Sequence, residues 1–317
     1  MKITIFSFDL WGFNKKIANE LRSLGHTVNY VNTAKFKYEY PHFGVRFLNF
    51  FTKNLLKINL KHKFQRTKIL KALTNNQSQS DIIFMVNPGY FPQQFTEEAR
   101  KYASKLIAYN YDSLIHVPLP QNFNELFDEI YSFDLEDVKK NSFLQHLSNF
   151  NYLKEKFNLK PKNKAFIIIS QSETRECILN KIADHFDAIN IKNYQFIVHN
   201  PKLKKLNKNI EIITNHIPLD EINLMMENAE ILIDLVRPNQ TGLSFRIFEA
   251  MALHKKIITN NKIIAEYDFY NPNNILILND ELNNITPDFL NKKYEPLPSK
   301  LYQKYTLENW VKTVFYN

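Results

Sequence analysis

Short apolar runs recur along the chain, each followed by a polar turn and then by a stretch with apolar residues at helical spacing. That alternation is what a parallel sheet with crossover helices requires. Lys2 to Phe8, Thr27 to Val31, Asp81 to Val86, Lys105 to Asn110 and Glu129 to Phe133 read as strands of a first domain, with helices over Asn14 to Leu24, closed by Gly25, and Thr96 to Ser104. Ala165 to Ile169, Tyr194 to His199, Ile210 to Thr214, Ile231 to Val236, Lys256 to Thr259 and Ile275 to Leu278 read as strands of a second. Its helices fall over Glu176 to Phe186, Leu219 to Asn228 and Leu243 to Leu253. The Lys- and Asn-rich stretch around Pro161 suggests a boundary near residue 158, separating domains of residues 1–158 and 159–300. Tyr302 to Phe315 predicts a last helix within 301–317, with Leu307, Trp310, Val311 and Val314 on one face.

Candidate chemistry concentrates in Ile231 to Asn261, a strand, a loop, a helix and a strand. Thr241, Gly242, Leu243 and Ser244 stand where that helix begins, and unpaired backbone N–H groups at a helix start suit phosphate oxygens. Arg237 and Arg246 could add positive charge, and Glu249, one turn into the helix, could accept hydrogen bonds from a ribose diol. The alternative is architectural: Arg246 and Glu249, three apart, could form a surface ion pair.

The segment GLSFRIFEAMALHKKIITNN, Gly242 to Asn261, resembles the donor-binding segment of GT-B glycosyltransferases and is most similar to the bacterial lipopolysaccharide and CgeB-like branch. The resemblance implies an α/β chain of two Rossmann-like domains facing each other across a cleft, acceptor side first, with a C-terminal helix returning to the N-terminal domain. It also implies transfer of a sugar from a nucleotide-sugar donor to an oligosaccharide or lipid-linked glycan acceptor such as lipopolysaccharide or capsule. Two departures stand out. Retaining enzymes often carry two glutamates separated by seven residues, and the first would fall at Thr241; the usual Gly-x-Pro turn is here His254, Lys255, Lys256. Stereochemistry is therefore not carried over.

Other loops follow from the same resemblance. Arg175, after the first strand of the second domain, becomes a charge partner for the donor diphosphate, and His216 a donor contact. In the first domain Asp9 and Trp11 become candidates for holding a sugar, with Asp9 as a helix cap and Trp11 as core the alternative. Tyr111-Asp112-Ser113 resembles a Tyr-Asp-Ser segment of the branch; Asp112, or else His116, could take the acceptor hydroxyl's proton, against a capping role. No Asp-x-Asp or clustered His/Cys set suggests a metal, and no cofactor is expected beyond the donor as substrate.

Charge changes the picture in one place. The net charge is +9, and residues 34–74 carry ten basic residues against one acid, Glu39, so the whole excess lies there. Phe43, Phe47, Phe50, Phe51 and Leu55 interleave with Lys53, Lys57 and Lys61, an amphipathic pattern suited to peripheral contact with an anionic membrane, or to a solvated face. Nucleic acid is disfavoured as a partner because no nucleic-acid module accompanies the patch. A single cysteine, Cys177, in a helical pattern predicts a packed thiol and a reduced, cytoplasmic setting, at the inner face of the inner membrane if the basic segment docks. The N-terminus reads as a strand, and no apolar run is long enough to span a bilayer. The competing functions are a noncatalytic sugar-nucleotide or glycan-binding subunit and a basic nucleic-acid-binding protein.

Overall fold

The computed structural model describes residues 1–36, 41–55, 60–74, 79–119, 122–156 and 160–316. The expected boundary at 158, and Lys37, Glu39 and Lys57 of the basic segment, lie outside the described residues. The chain divides into two compact units, one of Met1–Phe133 with Asp137–Leu147, the other of Asp134–Glu136 with Ser148–Asn317.

The first unit is built on β1 (Lys2–Ser7), β2 (Thr27–Asn32), β3 (Ser80–Val86), β4 (Ala103–Asn110), β5 (Glu129–Ser132) and β6 (Gln145–His146), all parallel, in the order β2-β1-β3-β4-β5-β6. Its helices are α1 (Phe13–Ser23), α2 (Phe43–Leu55), α3 (Leu60–Thr74), α4 (Gln93–Ala99) and α5 (Phe123–Leu126); α6 (Leu135–Lys140) follows β5. β1, β3 and β4 are apolar on both faces, with Ile3, Ile5, Ile83, Phe84 and Ile107 buried, as central parallel strands must be.

The second unit repeats the plan with β7 (Asn163–Ser170), β8 (Tyr194–His199), β9 (Ile210–Ile213), β10 (Ala229–Asp234), β11 (Lys256–Thr259) and β12 (Ile275–Ile277), again parallel, in the order β12-β11-β10-β7-β8-β9. Its helices are α7 (Glu173–Ala188), α8 (Leu219–Glu227), α9 (Phe245–Ala252), α10 (Pro287–Asn291), α11 (Ser299–Lys304) and α12 (Leu307–Phe315). Leu179, Ile182 and Phe186 of α7 join one apolar layer, and Ile222 of α8 with Ile247 and Phe248 of α9 join the other.

Three expectations change. The helix expected over Thr96 to Ser104 begins at Gln93, because Pro92 fits the extended position before a first turn, and it has yielded to β4 by Ala103. The last helix is two, broken where the Thr306 hydroxyl caps α12 by accepting from Asn309 N at 3.3 Å. Within the second unit α12 packs Trp310 on Phe150, ring centroids 5.1 Å apart, and the indole N–H donates to Ser148 O at 3.0 Å. Cys177 is exposed rather than packed, since it stands opposite the face of α7 that carries Leu179, Ile182 and Phe186.

Candidate functional site

In the second unit β7 and β10 lie side by side, yet the chain leaves β7 toward β8 and β10 toward β11. Loops departing in opposite directions open a crevice at the strands' carboxyl ends, the place where open α/β sheets bind ligands. Two loops meet there, Ser170 to Ser172 before α7 and Leu235 to Ser244 before α9. Arg175 is held in the first by hydrogen bonds to Ser170 O at 3.0 Å and Ser170 Oγ at 3.1 Å. Burial, and then the neighbouring charge of Arg237, lower its pKa to about 10, so it stays cationic at neutral pH. Arg237 itself is exposed. Asp234 is buried at the end of β10 and its Oδ1 accepts from the Ser244 hydroxyl at 2.6 Å. Burial raises its carboxyl pKa, against the pull of that bond and of Arg246 and Arg175.

The loop entering α9 already holds an anion. Asp134, 2% exposed, accepts from Thr241 N at 2.8 Å, Thr241 Oγ1 at 2.5 Å and Gly242 N at 3.0 Å. The carboxylate thus meets the N–H groups that the sequence reading assigned to a phosphate. Asn261 Nδ2 and Asn149 Nδ2 donate to the carbonyls of Thr241 and Leu243, both at 2.9 Å, and Ser244 Oγ caps the helix by accepting from Arg246 N at 3.1 Å.

Glu249 is 3% exposed. Its carboxylate accepts from the Tyr152 hydroxyl and lies 3.6 Å from Arg246 Nη1, so the pair is buried rather than a surface ion pair. Arg246 also lies over the Phe166 ring, 5.5 Å from its centroid. Burial and Glu249 together push the Tyr152 phenol up, which keeps it a hydrogen-bond donor. A ribose hydroxyl reaching Glu249 has to take the place of Tyr152. His216 is exposed in the loop between β9 and α8.

The first unit has its own switch point, between β1 and β3. Asp9 acts as a cap here: its carboxylate accepts from Gly12 N at 2.6 Å, Lys15 N at 3.1 Å and the Tyr30 hydroxyl at 2.7 Å, holding the start of α1. Trp11 is 45% exposed rather than core. Asp112, past the end of β4, accepts from Asn87 Nδ2 at 2.8 Å and the Tyr90 hydroxyl at 3.3 Å. Asn87, left-handed at φ 48°, also accepts from Tyr111 N at 2.9 Å, which binds the turns after β3 and β4 together. That turn needs Gly89, where a Cβ would come within 2.6 Å of Pro118 O. Phe8 and Tyr90 lie beside each other, 5.7 Å between centroids, so an aromatic rim borders Asp112. His116 is exposed.

The structure therefore puts Arg175 in the first turn of α7, and Arg237, Thr241, Gly242, Leu243, Ser244, Arg246 and Glu249 on the loop and helix after β10, both beside the second switch point, whereas Asp9, Asp112 and His116 belong to the first unit. Sequence reading missed Asp134, Tyr152 and Asp234. Asp234 ends β10 and is a lone acid inside the apolar run Ile231 to Val236, a signal that could have found it; Asp134 and Tyr152 act over separations of 107 and 97 residues and leave no local signal. Among the described residues no group of three or more His, Cys, Asp or Glu could hold a metal ion.

No family model matches the sequence, and no curated protein is similar to it in sequence. Similarity appears among solved structures. An alpha-glucosyltransferase in complex with UDP shares 12% identity at a TM-score of 0.57, covering 100% of this chain and 95% of that one. An alpha-glucosyltransferase in complex with UDP-glucose and DNA containing an abasic site gives 12% and 0.56, over 99% and 95%. UDP-GlcNAc 2-epimerase from Neisseria meningitidis, bound to UDP-GlcNAc, gives 12% and 0.55, over 99% and 98%. With these full-length likenesses and two six-stranded parallel sheets, the chain has the α/β GT-B fold of two Rossmann-like domains.

Proposed function

We propose that the chain is a glycosyltransferase moving a sugar from a nucleotide-sugar donor to a glycan acceptor, lipopolysaccharide or capsule in class, akin to the lipopolysaccharide and CgeB-like enzymes. The carrying observation is the strand order of the second unit: β7 and β10 diverge at its switch point, and the start of α7 with Arg175 and the loop before α9 with Arg237 both follow the carboxyl ends of those two strands. A diphosphate answers that arrangement, and two proteins of the same fold were captured with UDP or a UDP-sugar. With Thr241 and Gly242 N–H groups held by Asp134, the two arginines carry the donor's phosphates and stabilise the charge of the departing diphosphate. Glu249 takes the ribose hydroxyl in exchange for that of Tyr152. Asp112, rather than the capping Asp9, receives the acceptor's proton, with its rim of Tyr90 and Phe8 for the sugar ring.

The test is thermal unfolding with UDP-, GDP-, ADP- and CMP-sugars in turn. A donor at a hundred times its dissociation constant adds roughly 2.7 kcal/mol of apparent stability. Stabilisation by none of them refutes the reading. A second reading is favoured by the epimerase of the same fold. Product analysis separates the alternatives: a glycosylated acceptor supports transfer, an altered sugar still on its nucleotide supports epimerisation, and binding without turnover supports a noncatalytic subunit.

A further inference from the structure

The helix α2 is inside out. Its inward side carries Asn49, buried, with Val45 and Thr52 half-buried, while Phe43, Phe47, Leu48 and Phe50 face solvent at 78, 56, 57 and 62% exposure. Helical positions 43, 47 and 50 fall on one stripe, and Leu48 and the exposed Arg46 flank it on either side. An isolated surface apolar residue needs no explanation, but three phenylalanines on one stripe with an exposed leucine beside it mark a contact surface. The neighbouring α3 does the reverse, sinking Ile69 and Leu73 into the core that holds Phe6 and Phe95. Anchoring thus belongs to α3, and α2 is left to meet something else.

Charge identifies the partner. Residues 34–74 hold the protein's entire excess, ten basic residues to one acid, and among the described ones Lys35, Arg46, Lys68 and Lys71 are exposed. A second copy would bring two such segments together, and the repulsion opposes pairing. Nucleic acid would satisfy the cations but leave the stripe facing a polar, phosphate-lined surface, since about half or more of protein–DNA hydrogen bonds go to phosphate and sugar. Only a lipid surface offers anions and hydrocarbon in adjoining layers. No helix among the described residues is long and apolar enough to cross a membrane, so the contact is parallel to the surface. We infer that α2 docks on an anionic bilayer, Phe43, Phe47, Phe50 and Leu48 entering the acyl boundary while the exposed basic residues of the same segment pair with headgroups.

Sedimentation of the full chain with vesicles tests this directly. Vesicles of phosphatidylcholine and phosphatidylglycerol in equal parts bring the protein down, and vesicles of phosphatidylcholine alone do so at least about tenfold less well, each basic residue near the surface contributing about a fivefold factor. Raising salt from about 0.1 M to about 1 M, which shortens the Debye length from about 10 Å to about 3 Å, releases much of it. Phe47→Ser with Phe50→Ser weakens binding about tenfold or more with thermal unfolding unchanged, because both side chains are exposed. Arg46→Glu, which keeps the apolar stripe, weakens it about fivefold or more. Any of four results overturns the inference: no sedimentation with anionic vesicles, equal sedimentation with neutral ones, binding indifferent to the phenylalanine pair, or duplex DNA competing the protein off the vesicles through the same phenylalanines. A dimer in ultracentrifugation that the phenylalanine pair abolishes overturns it equally, by assigning the face to a second copy.

Discussion

Replacing Asp134 with alanine removes a carboxylate from between two backbone amides and a hydroxyl and leaves all three without it, at a site only 2% exposed. A buried donor deprived of a charged acceptor costs about 1–3 kcal/mol, and the hydroxyl can turn elsewhere, so the two amides sum to about 2–6 kcal/mol. That is a large fraction of the roughly 5–15 kcal/mol by which a domain is stable. Asp134→Asn keeps one acceptor oxygen and costs less, about 1–3 kcal/mol, and Thr241→Val removes one bond for about 1 kcal/mol. Trp310 is buried in the second unit and the other tryptophan, Trp11, is half exposed in the first, so the fluorescence change on urea unfolding reports chiefly the second. With a urea dependence of about 1–3 kcal/mol per molar, Asp134→Ala lowers the midpoint by about 1–3 M or more. A double-mutant cycle with Thr241→Val recovers a coupling of about 1 kcal/mol. A shift of under about 1 kcal/mol for Asp134→Ala, or no coupling, would refute the claim that this carboxylate organises the loop.

Glu176 is buried, which raises its pKa, but hydrogen bonds from the backbone N–H groups of Leu203, Ser172 and Lys202 outweigh that and hold it below the ordinary 4.5. Its stabilisation is therefore complete above pH 4.5 and lost as pH falls through the lower folded value; Glu176→Gln loses about 2–4 kcal/mol at neutral pH and shows a shallower acid transition below 4.5 than the natural chain. Asp9→Ala costs the first unit about 1–2 kcal/mol by uncapping α1, measurable as a lowered Tm; an unchanged Tm would return Asp9 to the role of a sugar ligand. Tyr152→Phe leaves Glu249 one hydrogen bond short and tightens donor binding severalfold, by about 1 kcal/mol, in calorimetric titration; a tenfold loss would make Tyr152 itself a donor contact.

What the sequence discloses here tracks how local the cause is. Tyr194 to His199 and Lys256 to Thr259 match the observed strands to the residue, because each is an apolar run bounded by polar neighbours on both sides. The ends of α4 and the break before α12 escape such reading, since a proline's φ and a threonine's cap decide them rather than periodicity. The same division runs through the site. Arg237 and Ser244 are visible because they stand in the polar stretch between an apolar run and a helical pattern, and Arg175 because its loop resembles one that meets a donor diphosphate. The partners that occupy that loop and helix, Asp134 on Thr241 and Gly242 and Tyr152 on Glu249, come from about a hundred residues upstream and follow only from the folded chain. The outward face of α2 was equally out of reach: periodicity marks an apolar stripe, but which way it points depends on what α3 buries.

Titration calorimetry of UDP into the natural chain and into Arg237→Ala bears most directly on the diphosphate site, because Arg237 is exposed and its loss leaves the fold intact. Charge-assisted bonds to a phosphate are roughly twice as strong as neutral ones, so UDP binds the natural chain and binds Arg237→Ala about tenfold to a hundredfold more weakly. No heat of binding with the natural chain, or an affinity that the substitution leaves unchanged, would contradict the assignment.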